Sequence, residues 1–124
     1  MQVESCFERT TLFTTSDGSE NTYTSRPTRA ALGAKTVLGF LDVHGVDSET
    51  ALTVAVEHSA DGESWTEKTS SLVSTGGAAS VGLYEGHTSD FGARVRFKVK
   101  IAESSAQSNQ LSANISFKAV WKPF

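Results

Sequence analysis

Apolar and polar residues alternate without a break from Ala93 to Ile101, where Val95, Phe97, Val99 and Ile101 interleave with Arg94, Arg96, Lys98 and Lys100. Successive side chains of a strand point to opposite faces, so this period of two predicts a half-buried strand. Leu111, Ala113, Ile115, Phe117, Ala119 and Trp121 alternate with Ser112, Asn114, Ser116, Lys118, Val120 and Lys122 in the same way and predict a second long strand. The stretch 102–110 between them is polar and small, with no apolar periodicity. The two strands and this stretch read together as a hairpin with a mobile loop.

Leu52, Val54 and Val56 alternate with Thr53, Ala55 and Glu57 until Ser59-Ala60-Asp61-Gly62. Asp-Gly supplies the positive φ that a tight turn demands, so residues 64–73 are expected to return beside this strand. Lys35 to His44 is apolar on both faces around Gly39, the pattern of a central strand covered on both sides, with Gly39 marking a bulge or a close backbone approach. Weaker strand signals lie at 7–15 and 78–84, and 87–91 reads as a loop with room for one helical turn. Seven to eight strands with no amphipathic helix predict an all-β domain, an antiparallel two-sheet β-sandwich of jelly-roll or immunoglobulin-like type. Residues 17–34, which include Arg26 and Arg29, are long for a connection inside such a sandwich. Two readings stand: an extended arm that orders on a neighbouring subunit, or a surface loop with a short extra strand near Tyr23.

Composition agrees with a single domain. The chain has 124 residues, enough for one sizeable core, and 31 of them are Ser or Thr. Its polarity therefore comes from hydroxyls more than from charge, and with only 2 prolines and 9% aromatic residues it does not have the profile of a disordered chain. Eleven Lys and Arg against fourteen Asp and Glu give a net charge of −3, which argues against a global attraction to nucleic acid or to an anionic membrane. The single Cys6 excludes an intramolecular disulfide framework and reads as a small buried hydrophobe. The opening residues have neither the basic nor the apolar region of a secretion signal, and no run reaches the length of a membrane span, so synthesis in the cytoplasm is the expectation. Asn114-Ile115-Ser116 matches a glycosylation acceptor formally but falls inside an expected strand.

Little in the chain points to catalysis. His44, His58 and His87 are far apart and form no metal-binding spacing, no Gly-x-Ser-x-Gly elbow is present, and Gly76-Gly77 and Gly82 read as turn and strand-edge glycines. No enzyme activity, cofactor or metal is expected. Three features point to binding instead. If the two long strands form a hairpin, Arg94, Arg96, Lys98, Lys100 and Lys118 share one surface, together with Asn114 and Ser116. That surface is either a solvated face neutralised by acidic neighbours such as Glu57 and Glu67, or a contact for an acidic protein surface or for nucleic acid. Trp65, beside Asp61 in the 57–65 segment, either plugs the core over its hairpin or stacks on a sugar ring. The closing residues Trp121-Lys122-Pro123-Phe124 form a candidate docking tail.

The segment Leu52 to Trp65, a strand leading into His58-Ser59-x-Asp61-Gly62-x-x-Trp65, is followed by Gly92 to Ile101. This pattern resembles small β-sandwich virion proteins of tailed phages and prophages, over about residues 35–121. Similar hairpins occur in discoidin-like and carbohydrate-binding sandwiches. The Asp-box of sialidases is also similar but differs in that Gly62 here follows Asp61 directly, so no sialidase residues carry over. The resemblance implies a non-enzymatic virion component, a capsid decoration or accessory protein, with copies of itself and a larger shell protein as partners. A carbohydrate-binding module using Trp65 and Asp61 is the alternative.

Overall fold

The computed structural model describes residues 2–28 and 31–124. Eight strands follow in order: β1 (Gln2–Phe13), β2 (Asn21–Thr24), β3 (Thr36–Val46), β4 (Thr50–Ser59), β5 (Thr66–Ser74), β6 (Gly82–Ser89), β7 (Arg94–Glu103) and β8 (Ser112–Lys122). They form two four-stranded antiparallel sheets, β1-β8-β3-β6 and β2-β7-β4-β5. Strand β1 pairs with β8, β2 with β7, β3 with β6 and β4 with β5, so one half of the chain runs antiparallel along the other. This doubled ribbon is wrapped into two layers, the jelly-roll arrangement, which decides between the two sandwich types anticipated from the sequence.

Alternation places one apolar row of each strand between the layers. Val37, Leu41 and Val43 of β3, Leu52, Val54 and Val56 of β4, Val95, Phe97, Val99 and Ile101 of β7, and Ile115, Phe117 and Trp121 of β8 are all buried there. No backbone ladder crosses between the sheets, so this side-chain layer joins them. At its centre Phe97 lies with ring centroids 5.0 Å from Phe117 and 6.1 Å from Trp121, and Phe91 meets Trp121 edge-on at 5.5 Å. Truncating a ring in such a core costs about 3–5 kcal/mol. Two glycines make room for it. A Cβ on Gly39 would lie 2.8 Å from Leu72 and 2.9 Å from Phe117, and one on Gly86 would lie 1.8 Å from the Leu72 carbonyl oxygen. Gly39 thus marks a close approach, though of side chains.

Several expectations need correction. The 94–101 and 111–121 strands are present, but β7 and β8 lie in different sheets and the 104–111 link is a corner between layers. Alternation shows which side chains face inward and does not distinguish a neighbour in the same sheet from one in the opposite sheet. Residues 87–89 belong to β6 and are not a loop. The 17–34 segment does not extend as a free arm where it is described. Asn21–Thr24 pairs with β7, Ser25 N–H donates to Phe97 O at 2.8 Å, and Thr28 N–H donates to Val95 O at 2.9 Å. It closes the edge of its own sheet, which is the reading with a short strand near Tyr23. Trp121 is core, 2% exposed, and not part of a tail.

The hydroxyl-rich composition serves the corners. Thr14 Oγ1 accepts from Leu111 N–H, Ser25 Oγ from Phe97 N–H, and Ser59 Oγ from Asp61 and Gly62 N–H. Ser104 and Ser105 hydroxyls both donate to Glu49, tying the β3–β4 corner to the β7–β8 corner. Each such bond satisfies a polar group that a strand end leaves behind. Two of the edge strands are blunted: β1 carries two register shifts opposite β8, and β2 is only 4 residues long.

The glycine contacts make a direct test. Gly86→Ala is expected to destabilise the fold by about 2–4 kcal/mol, because the methyl group meets backbone that cannot rotate away. Gly45→Ala, with open space around it, is expected to be nearly neutral. Urea midpoints of the two variants check this, and equal midpoints would contradict it.

Candidate functional site

The outer face of β7 carries the four cations foreseen from its alternation, and its neighbours carry their counter-charges. Register sets Glu57 of β4 opposite Arg96, and Glu67 of β5 opposite Glu57. Arg96 Nε donates to Glu57 Oε1 at 2.7 Å, Lys98 Nζ stands 3.6 Å from Glu57 Oε2, and Lys100 Nζ stands 3.9 Å from Glu67. Burial alone would raise the Glu57 pKa, but the hydrogen bond and charge of Arg96, joined by Lys98, outweigh it and hold the carboxyl below its ordinary value. Arg94 makes no ion pair among the described residues; its stem runs beside Gly62.

Trp65 is half-buried on this same outer face and does not enter the core. The Arg96 guanidinium lies 4.2 Å from its ring centroid. Arg96 is therefore held by a carboxylate on one side and an aromatic face on the other, and one face of the Trp65 ring is engaged by a cation. Asp61 has a structural task. Its Oδ1 accepts from Glu63 N–H at 2.8 Å, Ser64 N–H at 3.0 Å and Ser59 Oγ at 2.9 Å, while Gly62 takes φ +82°. The backbone N–H groups of Ser64 and Glu63, then the Ser59 hydroxyl, lower its pKa to about 2. Asp61 thus shapes the β4–β5 turn that its sequence signal announced.

The remaining sites scatter. Lys118 does not join the cationic face, because β8 belongs to the other sheet; it is exposed on the opposite outer surface, in a depression with Ser5, Arg9, Asp42, His44 and Ser116. Arg26 is exposed beyond β2, and Arg29 lies outside the described residues. Phe124 is 73% exposed, with Lys122 Nζ 5.5 Å from its ring, near the depression lined by Leu32 and Pro123. The histidines serve locally: His44 Nε2 bonds Ser116 Oγ at 3.0 Å, and His58 Nδ1 accepts from Gly92 N–H at 2.9 Å. Burial, then the charge of Glu4, pushes the Cys6 thiol up to about 12. A thiol so rarely ionised is a poor nucleophile.

One feature escaped the reading for sites. Leu38 and Phe40 of β3 and Val120 of β8 point outward from the β1-β8-β3-β6 sheet, beside Val3 at 64% and Leu83 at 61% exposure. Its signal was the doubly apolar run from Lys35 to His44. The second apolar row of β3 is real, and nothing among the described residues covers it fully: Leu38 and Phe40 remain half-exposed.

The fold and surface define an eight-stranded jelly roll whose distinctive groups lie on its two outer faces. No protein-family model matches the chain, and no curated protein matches it. Among solved structures it is similar to a chain of the infectious bursal disease virus Gx strain, with TM-score 0.61 and 11% identity over 95% of this chain and 30% of that one. A chain of the infectious bursal disease virus VP2 subviral particle matches with TM-score 0.60 and 12% identity, over 95% of this chain and 31% of that one. The Gt strain gives TM-score 0.55 and 10% identity, over 98% and 32%. The chain spans about a third of the length of these matches, and at such identity the likeness is one of fold.

The Asp61 turn predicts a pH dependence. A carboxyl whose folded pKa is depressed contributes stability above its ordinary value of 3.8, and that contribution is lost as pH falls through about 2. Asp61→Asn is therefore expected to be less stable than the wild type near neutral pH, with the gap narrowing toward about pH 2. Urea midpoints across that range check it; a gap that stays constant would contradict the carboxylate's role.

Proposed function

We propose that this protein is a non-enzymatic structural component of a virus particle, a decoration or accessory protein that associates with copies of itself and docks on a larger shell. The observation that carries the reading is the agreement of the jelly roll, over 95% of the chain, with chains of infectious bursal disease virus particles. The exposed apolar groups support it. Phe124, Leu32 and Pro123 gather near one end, and Val3, Leu38, Phe40 and Leu83 lie on one sheet face. Exposed apolar groups concentrated in this way suit contact with another protein more than solvation. Tailed-phage origin rests on the pattern from Leu52 to Trp65 followed by Gly92 to Ile101, and on this reading the protein is made in the host cytoplasm and resides in the virion.

The carbohydrate-binding alternative keeps one supporting observation, the position of Trp65 on an outer face. Against it stands the guanidinium of Arg96 on the ring. On the structural reading, Trp65→Ala leaves the fold intact and lowers stability by about 1 kcal/mol, with no retention on immobilised polysaccharide before or after the change. Retention by the wild type that is lost in the variant would favour the glycan reading.

For the leading reading, mass spectrometry and electron microscopy of particles purified from the source of the sequence are expected to find the chain in the particle. Phe124→Ser is expected to lower its occupancy there several-fold without changing the urea midpoint. Absence of the chain from purified particles, when it is present in the lysate that produced them, would overturn the reading.

A further inference from the structure

We infer that the outer face of the β1-β8-β3-β6 sheet is an isologous interface with a second copy of this chain, closed by an ion pair between Lys118 of one copy and Glu85 of the other. The inference deepens the proposed self-association by assigning its surface and symmetry, and it rests on that reading.

Strand register lays out the face. Val3, Val120, Leu38 and His87 form one row across the four strands; Ser5, Lys118, Phe40 and Glu85 form the next. Phe40 is therefore flanked on the same surface by a cation on β8 and a carboxylate on β6. Strands lie about 4.8 Å apart, so the backbones of Lys118 and Glu85 stand roughly 10 Å from each other across Phe40, and the two do not pair with each other. Neither makes an ion pair among the described residues, and both are exposed.

A two-fold axis lying in the interface and running along β3 exchanges the β8 side of one copy with the β6 side of the other. Phe40 then packs on Phe40 and Leu38 on Leu38. Lys118 of each copy comes over Glu85 of the other, so the apolar strip gains two ion pairs by one symmetry operation. The same axis sets Asp42 of one copy opposite Asp42 of the other at the end of the strip, beside Arg9 and His44 in the depression they share. The register shifts in β1 disfavour pairing at that edge of the sheet.

Size sets the strength. Strand β6 has 8 residues, so the shared face measures roughly 26 Å by 19 Å, and the two copies together cover on the order of 1,000 Å². That is the lower bound for a specific interface, so a weak, concentration-dependent dimer is expected, one that gains from repeated presentation on a shell.

Sedimentation equilibrium of the whole chain from about 1 to 500 µM tests the interface. The wild type is expected to show a monomer–dimer equilibrium, and Phe40→Asp is expected to weaken it at least about 10-fold. Lys118→Glu and Glu85→Lys are each expected to weaken it about 5-fold, and the combined exchange to recover to within about 3-fold of the wild type. Far-UV circular dichroism confirms each fold; if Phe40→Asp does not fold, the charge exchange alone carries the test. A chain that stays monomeric throughout, a dimer indifferent to folded Phe40→Asp, or a double exchange no better than the single ones would each overturn the interface. A monomer that still co-purifies with particles would do so while leaving the particle reading intact.

Discussion

The two sheets are joined by side chains, and the contact on which the rest depends is the meeting of Phe97 from one with Phe117 and Trp121 from the other. Neither sheet can satisfy its inner face alone, since each presents a continuous apolar row to the gap. Much else in the chain follows from accommodating these rings. Gly39 has no side chain because Phe117 and Leu72 occupy that space, and Gly86 has none because the β5 backbone passes over it. Phe91, just ahead of β7, turns back to close the edge of Trp121. The tail suspected at residues 121–124 therefore divides: Trp121 belongs to the centre of the molecule and Phe124 to its surface.

The strands were legible from the chain because a period of two is a local property. The β4–β5 hairpin was legible for the same reason, through Asp61-Gly62 and its carboxylate-capped turn. Sheet membership was not. In the order β1-β8-β3-β6 and β2-β7-β4-β5, only β4 and β5 are consecutive in the chain and adjacent in a sheet. Every other link crosses between layers, and the alternation of β7 and β8 is the same whether they pair or oppose. The misplacement of Lys118 beside Arg94, Arg96, Lys98 and Lys100 follows from that single ambiguity. Residues 17–34 were obscure for a different reason. Their anchoring comes from Phe97 and Val95 carbonyls some seventy residues away, together with a Thr28 hydroxyl donating to the Glu4 carboxylate.

The two outer faces differ in how far they satisfy themselves. On the β2-β7-β4-β5 face, Glu57 and Glu67 answer three of the four cations, and Trp65 covers Arg96. Exposed pairs of this kind contribute little each, about 0–1 kcal/mol, but they cancel the repulsion that a cationic row would otherwise impose. The run that stood out in the sequence as a binding surface is thus largely occupied by its own neighbours. Charge spacing along a strand gives no view of the acids on adjacent strands, so the cationic row looked freer than it is.

The opposite face is incomplete in the way a partner would complete. A strand apolar on both faces belongs in the middle of something, and β3 has a core on one side only. An apolar row of this kind on a sheet face suits contact with another protein. Its flanking charges add direction to that argument. Lys118 and Glu85 are held apart on either side of Phe40 by the strand register, and register cannot change without turning the inner row of β3 out of the core. The same alternation that buries Val37, Leu41 and Val43 therefore fixes the apolar strip and its two opposite charges as a unit, and a molecule related by a two-fold axis presents the matching unit in reverse.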